Sequence, residues 1–118
     1  MTQARILVGD MPRMMRDIVE GAVESQQDME LVGHCADTEL EVAVQRYEAN
    51  VVILNESATR AGDLHARLLC AHPRLKVVVM TGDGGAATLF ELRHFYLADP
   101  SPVALIGAIR TALTRESA

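Results

Sequence analysis

What most constrains this chain is an alternation of short apolar runs with longer segments of helical spacing. The runs cover residues 5–8 (RILV), 30–33 (ELVG), 51–54 (VVIL), 76–80 (KVVVM) and 95–97 (FYL). Each has the length of a buried strand and is too short for a helix. Strands alternating with helices form a parallel sheet, because parallel neighbours are joined by crossovers that lay helices on the two faces. The expectation is an α/β fold of five βα units. At 118 residues the chain has the size of one domain and buries roughly two-thirds of its unfolded surface. Residues 1–118 therefore read as a single unit, without repeat, linker or low-complexity stretch.

The helical segments carry their own signals. Met11, Met14, Met15, Ile18, Val19, Ala22 and Val23 recur at three- and four-residue spacing, on one face of a first helix whose first turn suits Pro12. This methionine-rich stripe reads as core. Thr38 and Glu41 have the spacing of a capping box, in which each side chain accepts the other residue's free N–H. Leu40, Ala43, Val44 and Tyr47 follow on the inward face of that second helix. A third helix is expected over residues 62–71, ended by His72-Pro73, because the residue before a proline avoids the helical region. Ser101 and Pro102 open a last helix that ends near Leu113.

Composition narrows the function. The chain is 49% hydrophobic but only 3% aromatic, so its core is aliphatic. A net charge of -5 and a pI near 5.3, with no clustered Lys/Arg stripe, argue against nucleic acid, whose affinity comes mostly from neutralised phosphates. Cys35 and Cys70 lie far apart without CxxC or Cys/His metal spacing, and the N-terminus lacks a signal-peptide pattern. They read as cytosolic thiols. No apolar run approaches the roughly 20 residues that span a bilayer. The expected setting is the cytoplasm, with no membrane partner.

Open parallel sheets collect their polar groups at the carboxyl ends of the strands. Those positions hold Gly9 and Asp10, Asn55 and Glu56, Thr81 and Gly82, and Asp99 with Pro100. With "RILVGDMPRMMRDIVE", "DMELVGHCADTEL", "NVVILN", "AHPRLKVVVMTG" and "YLADP" in this order, residues 4–113 resemble a response-regulator receiver domain. The resemblance implies a doubly wound, flavodoxin-like architecture with strand order 2-1-3-4-5 and helices on both faces. It also implies a phosphoryl switch. In such a switch an acidic pair after the first strand holds Mg²⁺, and an aspartate ending the third accepts the phosphoryl group. A Thr or Ser ending the fourth contacts that group, and a lysine before a proline after the fifth pairs with it.

Three of those positions differ here. The acidic pair is Gly9-Asp10, the acceptor position holds Asn55, and the lysine position holds Asp99. Thr81 matches, as does the switch aromatic that the family couples to it, Tyr96. An acyl phosphate needs a carboxylate nucleophile, and an amide supplies no comparable oxygen. Asp99 would repel an incoming phosphoryl group where a cation should neutralise it. The resemblance is thus to a degenerate, pseudo-receiver type: Asp10, Asn55, Thr81 and Asp99 form a vestigial phosphorylation pocket, with no catalytic residue, no enzymatic activity and no cofactor. Asp10, the Asn55 carbonyl and Asp99 are hard oxygen donors of the kind Mg²⁺ or Ca²⁺ accepts, a weak candidate for a cation site. The competing arrangements are an Asp99 turned outward or capping the next helix, and an Arg13 paired with one of the acids.

Other candidates are weaker. Strand alternation turns Glu56 away from Asp10, as a solvated loop acid. "TGDGGAAT", residues 81–88, has the glycines of a phosphate cradle but neither the spacing nor the lysine of a nucleotide-binding loop. The simpler reading is a trimmed fourth helix with a flexible lead-in. His34, His65, His72 and His94 are scattered without metal spacing and read as surface or boundary residues.

The last helix, "SPVALIGAIRTAL", carries one charge, Arg110. With Leu105, Ile106, Ile109 and Leu113 inward, Val103, Ala104, Gly107, Ala108 and Thr111 occupy the side where a surface helix normally carries charge. That face is expected to receive a protein partner or a second copy of the chain, with an alanine-rich composition as the competing explanation. The expected function is signalling by phosphorylation-independent protein contact. The alternatives are a ligand or cation sensor, and a phosphotransfer partner using another acid.

Overall fold

The computed structural model describes residues 3–56, 64–92 and 101–116, with side chains in the last helix through residue 111 except Leu105. Strand β1 (Ala4–Val8) leads through α1 (Arg13–Glu24) to β2 (Met29–His34), then through a 3-10 turn (Asp37–Glu39) and α2 (Leu40–Arg46) to β3 (Val51–Asn55). After these come α3 (Leu64–Ala71), β4 (Lys76–Met80), β5 (Ala87–Glu91) and α4 (Pro102–Glu116). The strands form one sheet in the order β2-β1-β3-β4-β5. β2, β1, β3 and β4 are mutually parallel, with helices in the crossovers between them. This is the expected α/β class and numerical order.

The fifth strand departs from expectation. β5 is antiparallel to β4, with Met80 opposite Ala87 and Lys76 opposite Glu91. The sheet is therefore mostly parallel. The segment expected to supply the strand, residues 95–97, lies outside the described residues, and no helix intervenes between β4 and β5. The physical reason is the turn between them. A short glycine-bearing turn lets two strands pair directly, whereas a parallel partner needs a crossover of about a dozen residues or more. Thr81 N donates to Ala86 O at 2.9 Å, and Gly84 N donates to Thr81 O at 2.9 Å. Gly84 itself has φ 75°, a conformation that a Cβ would strain.

Alternate side chains of each strand face opposite sides. On one side Leu7, Val52, Leu54 and Val77 pack against Leu40, Ala43 and Val44 of α2 and Leu64, Leu68 and Leu69 of α3. On the other, Ile6 and Val8 pack against Val19 and Val23 of α1, with Val51, Ile53 and Met80 partly buried at the margin. The α1 stripe is core only in part: Met14 is 76% and Ile18 68% exposed, because the stripe is wider than the strand surface that α1 covers.

One helix start and two inward faces also differ from the sequence reading. The Thr38–Glu41 capping box does not form: α2 is entered through the 3-10 turn and its N-cap residue, Glu39, makes no side-chain cap bond. Asp37 is instead engaged with Asp10, as described below. Tyr47 is exposed and lends its carbonyl to the Arg5 guanidinium, which donates to it at 2.9 and 3.2 Å. In α4 the Ser101 hydroxyl accepts the Ala104 N–H at 3.4 Å, as a cap should. Ile106 and Ile109 are exposed, however, rather than inward.

Candidate functional site

Asp10, Asn55 and Thr81 stand just beyond or at the ends of β1, β3 and β4, on the carboxyl edge of the sheet. The edge is held by main-chain bonds: Gly9 N donates to Ile53 O at 2.9 Å, and Glu56 N donates to Met80 O at 2.7 Å. Glu56 is exposed on the α3 side, near His65 and Phe90, whose rings lie 4.3 Å apart. Asn55 faces the opposite way, toward α1.

Asn55 is the buried polar side chain of the described core, at 0% exposure. Its amide nitrogen donates to the Thr81 carbonyl at 3.3 Å and to the Met15 sulfur at 3.0 Å. Both partners are acceptors. A carboxylate at this position would offer only acceptors in return, so two donations would become two repulsions in a site closed to water. Burial and hydrogen bonding both call for the amide, and the side chain of α1 residue Met15 lies against it.

Asp10 has found a partner that its neighbour in sequence does not supply. Asp10 N donates to Asp37 Oδ1 at 2.9 Å, and Asp37 N donates to Asp10 Oδ2 at 3.0 Å. This reciprocal clasp ties the end of β1 to the turn before α2. Gly9 makes room for it: a Cβ there would lie 2.6 Å from Asp37 Oδ1 and 2.9 Å from Leu54 Cδ2. Burial, and then the charge of Asp10, push the Asp37 carboxyl above its usual range, against the lowering effect of the Asp10 N–H. Asp37 Oδ2 is buried without a hydrogen-bond partner. Burial, followed by the charges of Glu39, Asp10 and Asp37, likewise raises the nearby Cys35 thiol, which disfavours the reactive thiolate.

Thr81 is turned into its own loop. Its hydroxyl donates to Asp83 Oδ1 at 2.7 Å and accepts from Ala86 N at 3.1 Å. Gly85 N donates to the same Asp83 oxygen at 2.9 Å. The Gly85 N–H, then the Thr81 hydroxyl, lower the Asp83 carboxyl below its usual range. The N–H groups of Gly84, Gly85 and Ala86 are therefore satisfied within the turn, which removes the basis for reading it as a phosphate cradle.

Of the expected set, Asn55 and Thr81 are in contact through the Thr81 carbonyl, while Asp10 stands on the same edge with its carboxylate turned to Asp37. Asp99 and Tyr96 lie outside the described residues, so the expected four-residue pocket and three-donor cation set are represented by these positions alone. Among the described residues no group of three or more His, Cys, Asp or Glu side chains is placed to hold a metal ion. On α4, Val103 is 82% exposed, Gly107 and Thr111 are exposed, and Ala104 and Ala108 are partly buried. The Thr111 hydroxyl donates to Gly107 O at 3.0 Å. Sequence reasoning missed Asp37 and Met15 as members of the site. The residue that signalled room for Asp37 was Gly9, standing where an acid was expected.

No protein-family model matches the sequence, and no curated protein matches it. Among solved structures the chain is similar to the isolated REC domain of RcsB from Salmonella enterica serovar Typhimurium, determined in the presence of the phosphomimetic BeF3-. The TM-score is 0.60 at 16% identity, over 92% of this chain and 72% of that one. This chain has a receiver-like fold. In this receiver-like domain the sheet order and the polar carboxyl edge are kept, while the last strand reverses direction. Among the described residues no helix is long and apolar enough to cross a membrane.

Proposed function

We propose that this domain is a pseudo-receiver, a cytoplasmic signalling module that works by protein contact without being phosphorylated and without catalysing a reaction. The observation that carries this reading is the state of Asn55. It occupies the strand end where receivers keep a phosphoacceptor aspartate, it is fully buried, and both donors of its amide are spent on Thr81 and Met15. Acyl phosphate formation needs an accessible carboxylate oxygen, and this position has none. The neighbouring carboxylates are also committed: Asp10 and Asp37 hold each other's backbone, and Asp83 holds its turn. With the pocket inert, recognition falls to the surface, and α4 supplies the face on which Val103, Gly107 and Thr111 are exposed and Ala104 and Ala108 partly buried.

The test is incubation with acetyl phosphate and Mg²⁺, followed by intact mass measurement. The expected result is an unchanged mass. An acyl-phosphate adduct that persists in Asn55→Ala would assign phosphotransfer to another acid and end this reading. A ligand-sensing role for the glycine turn loses its main support, because the donors that would bind an anion are already occupied.

A further inference from the structure

Four of the six methionines of the chain, Met11, Met14, Met15 and Met80, come from the entry to α1 and the end of β4. Met14, Met15 and Met80 line one cavity of about 290 Å³, together with Pro12, Ile18 and residues 82–84 of the β4–β5 turn. Hydrogen peroxide is little larger than a water, which needs about 10–15 Å³ of such space, so the cavity admits it.

Met15 differs from its neighbours in what its sulfur touches. The Sδ atom accepts a hydrogen bond from Asn55 Nδ2 at 3.0 Å, and Asn55 is fully buried. The same amide nitrogen donates to the Thr81 carbonyl at 3.3 Å, which also accepts the Gly84 N–H at 2.9 Å. Gly84 leads back to Met15: a Cβ there would lie 3.2 Å from the Met15 methyl carbon. Met15, Asn55, Thr81 and Gly84 therefore close a ring of contacts that joins α1, the end of β3 and the β4–β5 turn.

We propose that Met15 is a reversible oxidation site, at which addition of one oxygen to the sulfur resets the β4–β5 turn. The oxidant is hydrogen peroxide. A sulfur lone pair attacks one peroxide oxygen, the S–O bond forms as the O–O bond breaks, and the departing hydroxide takes the proton of the transferred oxygen and leaves as water. Sulfur is oxidised by two electrons and peroxide is reduced by two. The product is a sulfoxide, which is polar and chiral where the thioether was apolar and flexible. An amide at position 55 serves both states, because its N–H donates to the sulfur before oxidation and to the stronger oxygen acceptor after it. A carboxylate would donate to neither. The new oxygen has to enter among groups already in contact, so the Met15 methyl and the Gly84 turn against it must shift. A methionine sulfoxide reductase reverses the step, removing the oxygen as water while a dithiol is oxidised to a disulfide. The switch goes beyond the pseudo-receiver reading and does not depend on it.

The experiment treats the full chain with graded hydrogen peroxide and locates each added oxygen by fragment-ion mass spectrometry, which separates Met15 from Met14. Amide exchange over residues 81–86 and the thermal midpoint are read on the same samples. Met15 should gain one oxygen, the Gly84 and Ala86 N–H groups should lose protection, and the midpoint should fall. Reductases for both sulfoxide epimers, with dithiothreitol, should restore all three. Met14→Leu should respond as the unmodified chain does. Met15→Leu, a substitution of similar volume, should show no loss of protection, and it keeps Cys35 and Cys70, so any thiol oxidation is common to both samples. An unmodified Met15 beside an oxidised Met14 overturns the proposal, as does an oxidised Met15 with turn and midpoint unchanged, or an equal response in Met15→Leu. Failure of the reductases to restore the turn overturns its reversibility and with it the switch. A phosphoryl adduct from acetyl phosphate would have a different mass on a different group, so the two readings fail separately.

Discussion

On the α2–α3 side of the sheet, Val52, Leu54 and Val77 are fully buried, while on the α1 side their neighbours Ile53 and Val78 keep part of their surface in solvent. What differs is the cover among the described residues: α2 and α3 pack on the first side, and on the second α1 covers β1 and β2 and reaches only the margins of β3 and β4. Strand alternation decides which side a residue faces, but helix placement decides how much that residue contributes. Asn55 sits on the less covered side and is nevertheless fully buried, because Met15 of α1 reaches it.

The contrast is broken most directly by truncating one residue from each side. Leu54→Ala should cost roughly 2–5 kcal/mol, read as a lower denaturation midpoint, whereas Ile18→Ala should stay within about 0.5 kcal/mol. Comparable losses would mean that the two sides are equally packed. Asn55→Asp probes the margin between them. It should destabilise the fold by at least about 2 kcal/mol at neutral pH, since a buried charge replaces a satisfied amide. Part of that loss should return on acidification, as protonation removes the charge. An unchanged stability would show that water reaches the site.

Glycine substitutions sharpen the same comparison at smaller scale. Gly9→Ala forces a Cβ against Asp37 and Leu54 and should cost about 1–3 kcal/mol. Gly21→Ala on α1 meets nothing within 4 Å and should gain about 0.5–1 kcal/mol from helix propensity. The smallest effect concerns Asp37. A carboxyl whose folded value lies above its unfolded one adds stability at low pH, and that addition disappears as pH rises through the folded value. Asp37→Asn should therefore flatten the fall in stability from the acid range toward neutrality. A denaturation series across pH checks the slope.

Much of this architecture was legible in the chain. The runs at β1, β3 and β4 are dense in Val, Ile and Leu, which a parallel strand buried on both sides requires. The helix-stopping His72-Pro73 also marks the end of α3 where the structure has it. β5 was not read, because the aromatic run at 95–97 looked more strand-like than "ATLFE". The turn ahead of β5, with Gly84 in a left-handed conformation, carried the better signal: glycines and an aspartate between two apolar runs favour a hairpin. At the site, Asn55 and Thr81 were legible as positions. The Asp10–Asp37 clasp was not, because it joins residues far apart in sequence through backbone N–H groups that no motif records. Thr38 offered a local capping pattern, and the tertiary bond of the adjacent residue overrode it.

The antiparallel hairpin of β4 and β5 bears on how the sheet assembles. Its turn closes a short loop, while β1–β2, β1–β3 and β3–β4 each join segments separated by a helix-bearing crossover. Chain entropy makes the short closure the less demanding one, and local contacts speed folding relative to distant ones. The β4–β5 pair is thus the sheet's most local contact. A substitution that stiffens or lengthens its turn should alter the refolding rate more than the same change in the crossover loops.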